Sequence, residues 1–330
     1  MSSEPPYSGL TPDAVLDALA SAGFVGDGRL LALNSYENRV YQVWLEDTSL
    51  DSVVAKFYRP GRWSEAQILE EHAFAAELAE REIPAVAPLS ASGRTLYRHA
   101  GYLFAVYPRR GGRTPELEDP ETLEWMGRFI GRIHAVGATR PFTGRPALDI
   151  ETFGREPRDW LLSSGFVPAD LLAAWKSATA LALEGVARCY ERAGAVRTLR
   201  LHGDCHPGNV LWTDAGPHFV DLDDAVTGAA VQDLWMLLSG DRAAMTRQLA
   251  DVLDGYESFM DFDWRELRLV EPLRTLRMLH HSAWIARRWS DPTFPINFPW
   301  FASPAYWTDQ CTRLAEQLEA MAEPPLGSPD

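Results

Sequence analysis

Cysteine is scarce in this chain, with three in 330 residues: Cys189, Cys205 and Cys311. That excludes a disulfide framework as the source of stability. No apolar run is long enough to span a bilayer, and no signal-peptide pattern opens the sequence. A cytoplasmic protein with no membrane partner is therefore expected. Positive charge is also in deficit: 31 Lys and Arg stand against 46 Asp and Glu, giving a net charge of -15. Such a balance disfavours non-specific binding to nucleic acid or acidic membrane, with Arg109, Arg110 and Arg113 as a possible local basic patch. No internal repeat is present. What the chain does have is 46% hydrophobic residues and 12 tryptophans. That is enough for a large core divided into two units, the later one packed with aromatic side chains.

One stretch concentrates the chemistry: Leu199 to Asp224, LRLHGDCHPGNVLWTDAGPHFVDLDD. Val210–Trp212 and His218–Val220 read as strands joined by the turn at 213–217. The second strand runs into Asp221, Asp223 and Asp224. Carboxylates crowd beside buried strands when a cation or a reacting group is there to use them. Metal-assisted phosphoryl transfer fits this order. It needs one carboxylate to orient or deprotonate the attacking hydroxyl, a role for Asp204. It also needs a carboxylate and a neutral oxygen donor for magnesium on the phosphates, roles for Asp221 and Asn209. The hairpin would bring Asp221 back beside Asn209. Zinc on His202, Cys205 and His206 is the rival reading, but no CxxC or HExxH supports it. Cys205 as a nucleophile lacks any mark of a lowered pKa, and a purely structural polar loop is the plainest alternative. His202 reads as a loop-orienting residue, and Asp233, an acid inside GAAVQDLWMLL, as an anchor for the backbone around His202–Asp204.

Upstream, Thr11-Pro12 starts a helix to about Ala22. Leu30–Trp44 gives two strands around the loop Asn34–Asn38, which has no glycine and so is neither a P-loop nor a glycine-rich kinase loop. Small Ser35 there could let backbone N–H groups approach a phosphate, or the loop could be a plain turn. Ser52–Tyr58 is a strand, and Lys56 sits in it among apolar residues. A buried lysine needs a partner, so Lys56 reads either as a phosphate contact or as an edge-strand residue in water. Trp63–Arg81 reads as a helix capped by Ser64 and Gln67. Glu71 is the first choice to pair with Lys56 and Glu70 the second, since one residue turns the facing by about 100°. A small unit ends at residue 107, and 108–113 is a hinge. Further helices are read at Pro120–Ala135, about 168–193, Gly228–Leu238, Ala243–Phe259, Trp264–Ser290 and Tyr306–Met321. His134 reads as a core histidine at a helix end. The helix carrying Arg274, Arg277, Arg287 and Arg288 either meets an acidic acceptor or salt-bridges internally. DPTFPINFP, residues 291–299, reads as a rigid loop.

LHGDCHPGNVLW and FVDLDD resemble the catalytic core of the aminoglycoside phosphotransferase and choline kinase group. LNSYENRVYQVW, VVAKFYRPGRW, ILEEHAFAAEL and DPTFPINFPW extend the likeness over nearly the whole chain, to the bacterial stress-response kinases of that group. The resemblance implies an α+β, bilobal protein-kinase-like fold. Residues 1–107 would be a β-rich nucleotide-binding lobe, and 114–330 a mainly helical catalytic and acceptor-binding lobe. It implies a cytoplasmic, monomeric serine/threonine protein kinase that uses ATP and Mg2+, acts on protein substrates in stress responses and autophosphorylates. In it Asp204 would be the catalytic aspartate. Asn209 and Asp221 would be the magnesium ligands, with Asp221 at the DFG aspartate position. Lys56 would hold phosphates with Glu71 as its helix partner, and Ser35 would contact ATP. HGD replaces HRD and no APE segment follows, so the motif fixes the reaction better than the acceptor. Two alternatives remain open: a small-molecule kinase of the aminoglycoside, choline or homoserine type, and a nucleotide-binding regulator without transfer.

Overall fold

The computed structural model describes residues 5–46 and 50–327. The first elements are helix α1 (Pro12–Ser21) and strands β1 (Gly26–Leu33), β2 (Arg39–Leu45) and β3 (Ser52–Phe57). Helix α2 (Glu65–Glu80) and strands β4 (Tyr97–His99) and β5 (Tyr102–Pro108) follow. The chain continues through α3 (Pro120–Gly137), α4 (Glu156–Ser164), α5 (Leu172–Ala193) and strand β6 (Thr198–Leu201). A hairpin, β7 (Val210–Thr213) and β8 (Gly216–Phe219), then leads to β9 (Val226–Ala229). Helices α6 (Val231–Trp235), α7 (Arg242–Tyr256), α8 (Val270–Arg287), α9 (Thr293–Asn297) and α10 (Pro304–Ala320) complete it.

Two compact units emerge, and they do not divide at a single cut. The first comprises Met1–Pro115, Thr143–Arg145 and Gly208–Asp224; the second holds Glu116–Phe142, Pro146–Pro207 and Ala225–Asp330. In the first, an antiparallel sheet of order β1-β2-β3-β5-β4 packs Val43, Val53, Phe57 and Phe104 against Val15 and Leu19 of α1. Thr11 caps α1 by accepting from the Ala14 N–H at 3.2 Å, with Pro12 in the first turn where its missing N–H costs nothing. Ser64 and Gln67 close a reciprocal capping box on α2. The β7–β8 hairpin joins this unit through backbone: the Phe219 N–H donates to Pro84 O at 2.8 Å, and the Val86 N–H donates to Phe219 O at 2.9 Å.

The second unit is mainly helical. Trp175 and Trp307 cross edge to face at 5.7 Å in its core, where aromatic side chains combine large buried area with fixed geometry. Helices α3 and α7 touch backbone to backbone. A Cβ at Gly127 would lie 1.9 Å from Val252 O, and one at Gly255 would lie 1.9 Å from Glu124 O.

Three local readings are corrected. Val226–Ala229 pairs with β6 as a strand, so the helix read from Gly228 begins only at Val231. The helix read from Trp264 starts as a 3-10 segment, Trp264–Leu269, before α8. Residues 293–297 of the loop read at DPTFPINFP form a helical turn.

Candidate active site

In the first unit Lys56 lies on the central strand β3, between Val40 of β2 and Ala105 of β5. Its side chain is 8% exposed, so the edge-strand reading fails. Nζ donates to Asp221 Oδ1 at 2.7 Å and lies 3.4 Å from Asp223 Oδ1. Burial works against the ammonium charge, but Asp221 and then Asp223 overcome it and hold the Lys56 pKa well above the ordinary lysine value.

The three acids that end the hairpin have different surroundings. Asp223 is buried and accepts from Asn38 Nδ2 at 3.2 Å and from Arg62. Its backbone carbonyl takes Arg145 Nη2. Burial disfavours the Asp223 carboxylate, yet Lys56, Arg62 and Arg145 keep it ionised far below the usual range. Asp224 takes the other arm of Arg62. Asp221 is 52% exposed and carries Lys56 as its ion-pair partner. It also has φ of +60°, a left-handed conformation that aspartate adopts more readily than most residues, at about 1–3 kcal/mol.

The neighbouring glutamates separate cleanly. Glu70 accepts the backbone N–H groups of Thr143, Gly144 and Arg145, so it fastens that segment to α2. Glu71 points the other way, 2% exposed, with Oε2 lacking a hydrogen-bond partner. Burial raises its pKa to about 7, against the pull of Lys56. Lys56 thus pairs directly with Asp221, and Glu71 acts on it only through its field. The adjacent His72 is a structural link, bonded to Tyr58 Oη at 2.7 Å and Thr95 Oγ1 at 2.9 Å. Ser35 is half-buried in the loop before β2. The same loop holds two buried residues that the sequence reading passed over. Glu37 lies 3.6 Å from Arg59, and Asn38 Oδ1 accepts the Arg59 N–H while its Nδ2 reaches Asp223.

In the second unit the His202–Asp204 backbone is anchored by Asp233 on α6. The His202 N–H donates to Asp233 Oδ2 and the Gly203 N–H to Oδ1, each at 2.8 Å. Gln232 Nε2 donates to Gly203 O at 2.9 Å. His134 is fully buried and bridges Asp233 Oδ2, at 3.0 Å, to Tyr256 Oη, at 2.9 Å. Both expectations, Asp233 as backbone anchor and His134 as core histidine, hold. Asp204 itself meets Arg277 Nη1 at 2.7 Å on Oδ1 and His206 Nε2 at 3.5 Å on Oδ2. Burial opposes its charge, but His206 and Arg277 keep the carboxyl well below the usual carboxylate range. Cys205 is buried, and burial pushes its thiol far up, with Asp233 and Asp204 adding to the effect. That removes it as a nucleophile.

The phosphotransferase enzyme family matches residues 29–270. The serine/threonine protein kinase RdoA of Salmonella typhimurium is 47% identical over 320 residues, covering 97% of this chain and 96% of that protein. Stress response kinase A of Escherichia coli K12 is 46% identical with the same coverage. This chain belongs to the phosphotransferase enzyme family. It is an ATP-dependent kinase of that family, related to the stress response kinases. Two solved kinase structures match the α+β, kinase-like fold of this chain. Amicoumacin kinase hAmiN, in complex with AMP-PNP, Ca2+ and Ami, matches at TM-score 0.71 with 18% identity, over 96% of each chain. A microcompartment-associated aminopropanol kinase matches at TM-score 0.69 with 20% identity, over 93% of this chain and 98% of that one.

The donor chemistry fits a hard cation. Val220 N–H donates to Asn209 O at 3.0 Å, and that backbone bond brings Asn209 next to the residue preceding Asp221. A carboxylate and an amide oxygen suit magnesium, which takes few protein ligands and completes its shell with water and phosphate oxygens. Among the described residues no group of three or more His, Cys, Asp or Glu could cage a metal, and the zinc reading has no support. Among the described residues, no helix is long and apolar enough to cross a membrane.

Proposed function

We propose that this chain is a Mg2+-dependent serine/threonine protein kinase that moves the γ-phosphoryl of ATP to protein hydroxyls. It would act in the cytoplasm as a monomer during stress and label itself as well as its substrates. The observation that carries this reading is the 47% identity over 97% of the chain to a relative named as a serine/threonine protein kinase. Asp204 takes the acceptor proton and orients the oxygen for attack. Its backbone is fixed by Asp233 before substrate arrives, so no reorganisation is needed at the moment of transfer. Asn209 and Asp221 would hold magnesium, which would supply charge neutralisation on the phosphates. Lys56 holds phosphate oxygens, kept charged by its acidic neighbours, and Glu71 steadies it. Ser35 belongs to the loop that meets the nucleotide.

The test is transfer from γ-labelled ATP with magnesium to a generic protein, followed by mass spectrometry. Phosphoserine or phosphothreonine is expected, and it is lost in Asp204→Asn. ATP affinity should fall more in Asp221→Ala than in Asp204→Asn. Near-native rates for both variants at saturating ATP would refute the assignment. A second reading, a small-molecule kinase, draws on solved neighbours named for amicoumacin and aminopropanol. Loss of ATP only when metabolites are added, with no labelled protein, would select it.

A further inference from the structure

Arg277 is not used by the reaction as derived above, yet it touches Asp204. It sits on α8 and gives one guanidinium nitrogen to Asp204 Oδ1. Among the described residues, no other hydrogen bond or ion pair uses the rest of that guanidinium. The side chain is 42% exposed. It also lines a surface cavity of about 850 Å³ within the second unit, together with Trp235, Arg274, His281, Asp309 and Glu316. The α8 wall of this cavity carries Arg274 and Arg277. Arg274 packs over the Trp235 ring at 5.3 Å and pairs with Glu271 at 3.2 Å. The α10 wall carries Asp309, which pairs with Arg313 at 2.7 Å, and Glu316. Arg277 therefore links the two places: one guanidinium nitrogen is on Asp204, and the side chain also lines the cavity, with donors to spare.

That arrangement bears on the acceptor. An ammonium group approaching Asp204 would face the guanidinium already on the same carboxylate, and like charges at that range repel. A carboxylate on the acceptor can instead use the remaining planar edge of Arg277, which suits a two-point contact. The volume also exceeds what one small amine would fill and leaves room for a peptide segment.

We propose that Arg277 is the specificity-determining residue of this kinase: one edge of its guanidinium positions Asp204, and the other selects an acceptor peptide with an acidic side chain beside its hydroxyl. The inference rests on the protein-kinase reading and names the acceptor class that reading leaves open.

The experiment uses the full chain with Mg2+-ATP and three matched serine peptides carrying Glu, Gln or Lys next to the serine. The Glu peptide should show the highest kcat/KM, by about tenfold over Gln. Arg277→Gln should erase that ratio and lower kcat for every peptide, and Arg277→Lys should recover part of the ratio. Equal kcat/KM for Glu and Gln peptides, or a ratio unchanged in Arg277→Gln, would overturn the proposal. Fluorescence anisotropy with the Glu peptide carrying Ala in place of Ser reads the contact without transfer. Binding that weakens about tenfold in Arg277→Gln supports the contact even if no peptide is labelled, an outcome that would remove the protein-kinase reading alone. Binding that is indifferent to Arg277 overturns the proposal independently.

Discussion

Replacing Asp233 is the sharpest test of how the His202–Asp204 loop is built. Its two oxygens accept the backbone N–H groups of His202 and Gly203, each at 2.8 Å, and one also meets His134. The whole cluster is buried: Asp233 is 1% exposed and His202 is 1% exposed. Asp233→Ala leaves two buried donors without an acceptor, each costing about 1–3 kcal/mol, so a loss of roughly 2–6 kcal/mol is expected. A typical domain has about 5–15 kcal/mol in total, so the variant should be folded but weak. Asp233→Asn keeps one acceptor and turns an NH2 group toward the other donor, and roughly half that loss should follow. Urea denaturation gives both values, with Asp204→Asn as the reference, because Asp204 is partly exposed. The two variants should also lose kcat more than ATP affinity, because the loop that carries Asp204 is loosened. An Asp233→Ala protein within about 0.5 kcal/mol of wild type would refute the anchoring argument.

Two further perturbations follow from particular contacts. Glu71 has its pKa raised to about 7 from 4.5, worth roughly 3 kcal/mol at most; neutral Glu71 therefore stabilises the fold fully below pH 4.5, and this is lost as pH rises through about 7. Glu71→Gln should accordingly gain stability over wild type at pH 8 but not at pH 4.5 in paired melting curves, while its KM for ATP rises; equal gains at both pH values would rule out a buried charge. Gly127→Ala puts a methyl 1.9 Å from Val252 O and should cost about 2 kcal/mol or more despite alanine's better helix propensity, and a variant as stable as wild type in urea would mean that α3 and α7 are not in contact there.

The stretch 199–224 was legible because its polar groups are closely spaced and alternate with short apolar runs. Asp233 was legible for a similar reason: an acid among buried apolar residues must meet donors. Lys56 had an additional signal, since the chain holds only two lysines, Lys56 and Lys176. Residues whose partners lie far along the chain gave no such signal. Glu70 binds backbone 73–75 positions later, and nothing in α2 distinguishes it from Glu71 except a rotation of about 100°. Arg277 read as one cation of a basic helix, and only tertiary packing brings it to Asp204. The start of the helix read at Gly228 was misplaced because Gly and Ala are compatible with either state, and pairing with β6 decided for the strand.

The acids of DLDD show what packing adds to a motif. By sequence Asp221, Asp223 and Asp224 are equivalent carboxylates within four positions. In the fold Asp223 is enclosed by Asn38, Arg62 and Lys56, and Asp224 is taken by Arg62. A cation at Asp223 would have to displace a guanidinium already fixed beside Trp63, over whose ring Arg62 lies at 5.0 Å. Asp221 is half in solvent, and the partner it would have to release is Lys56, a side chain that can turn to phosphate oxygens instead. Of the three, Asp221 is the carboxylate that can exchange its partner for a divalent cation at the least cost, and the buried Asp223–Arg62 pair is what leaves it in that position.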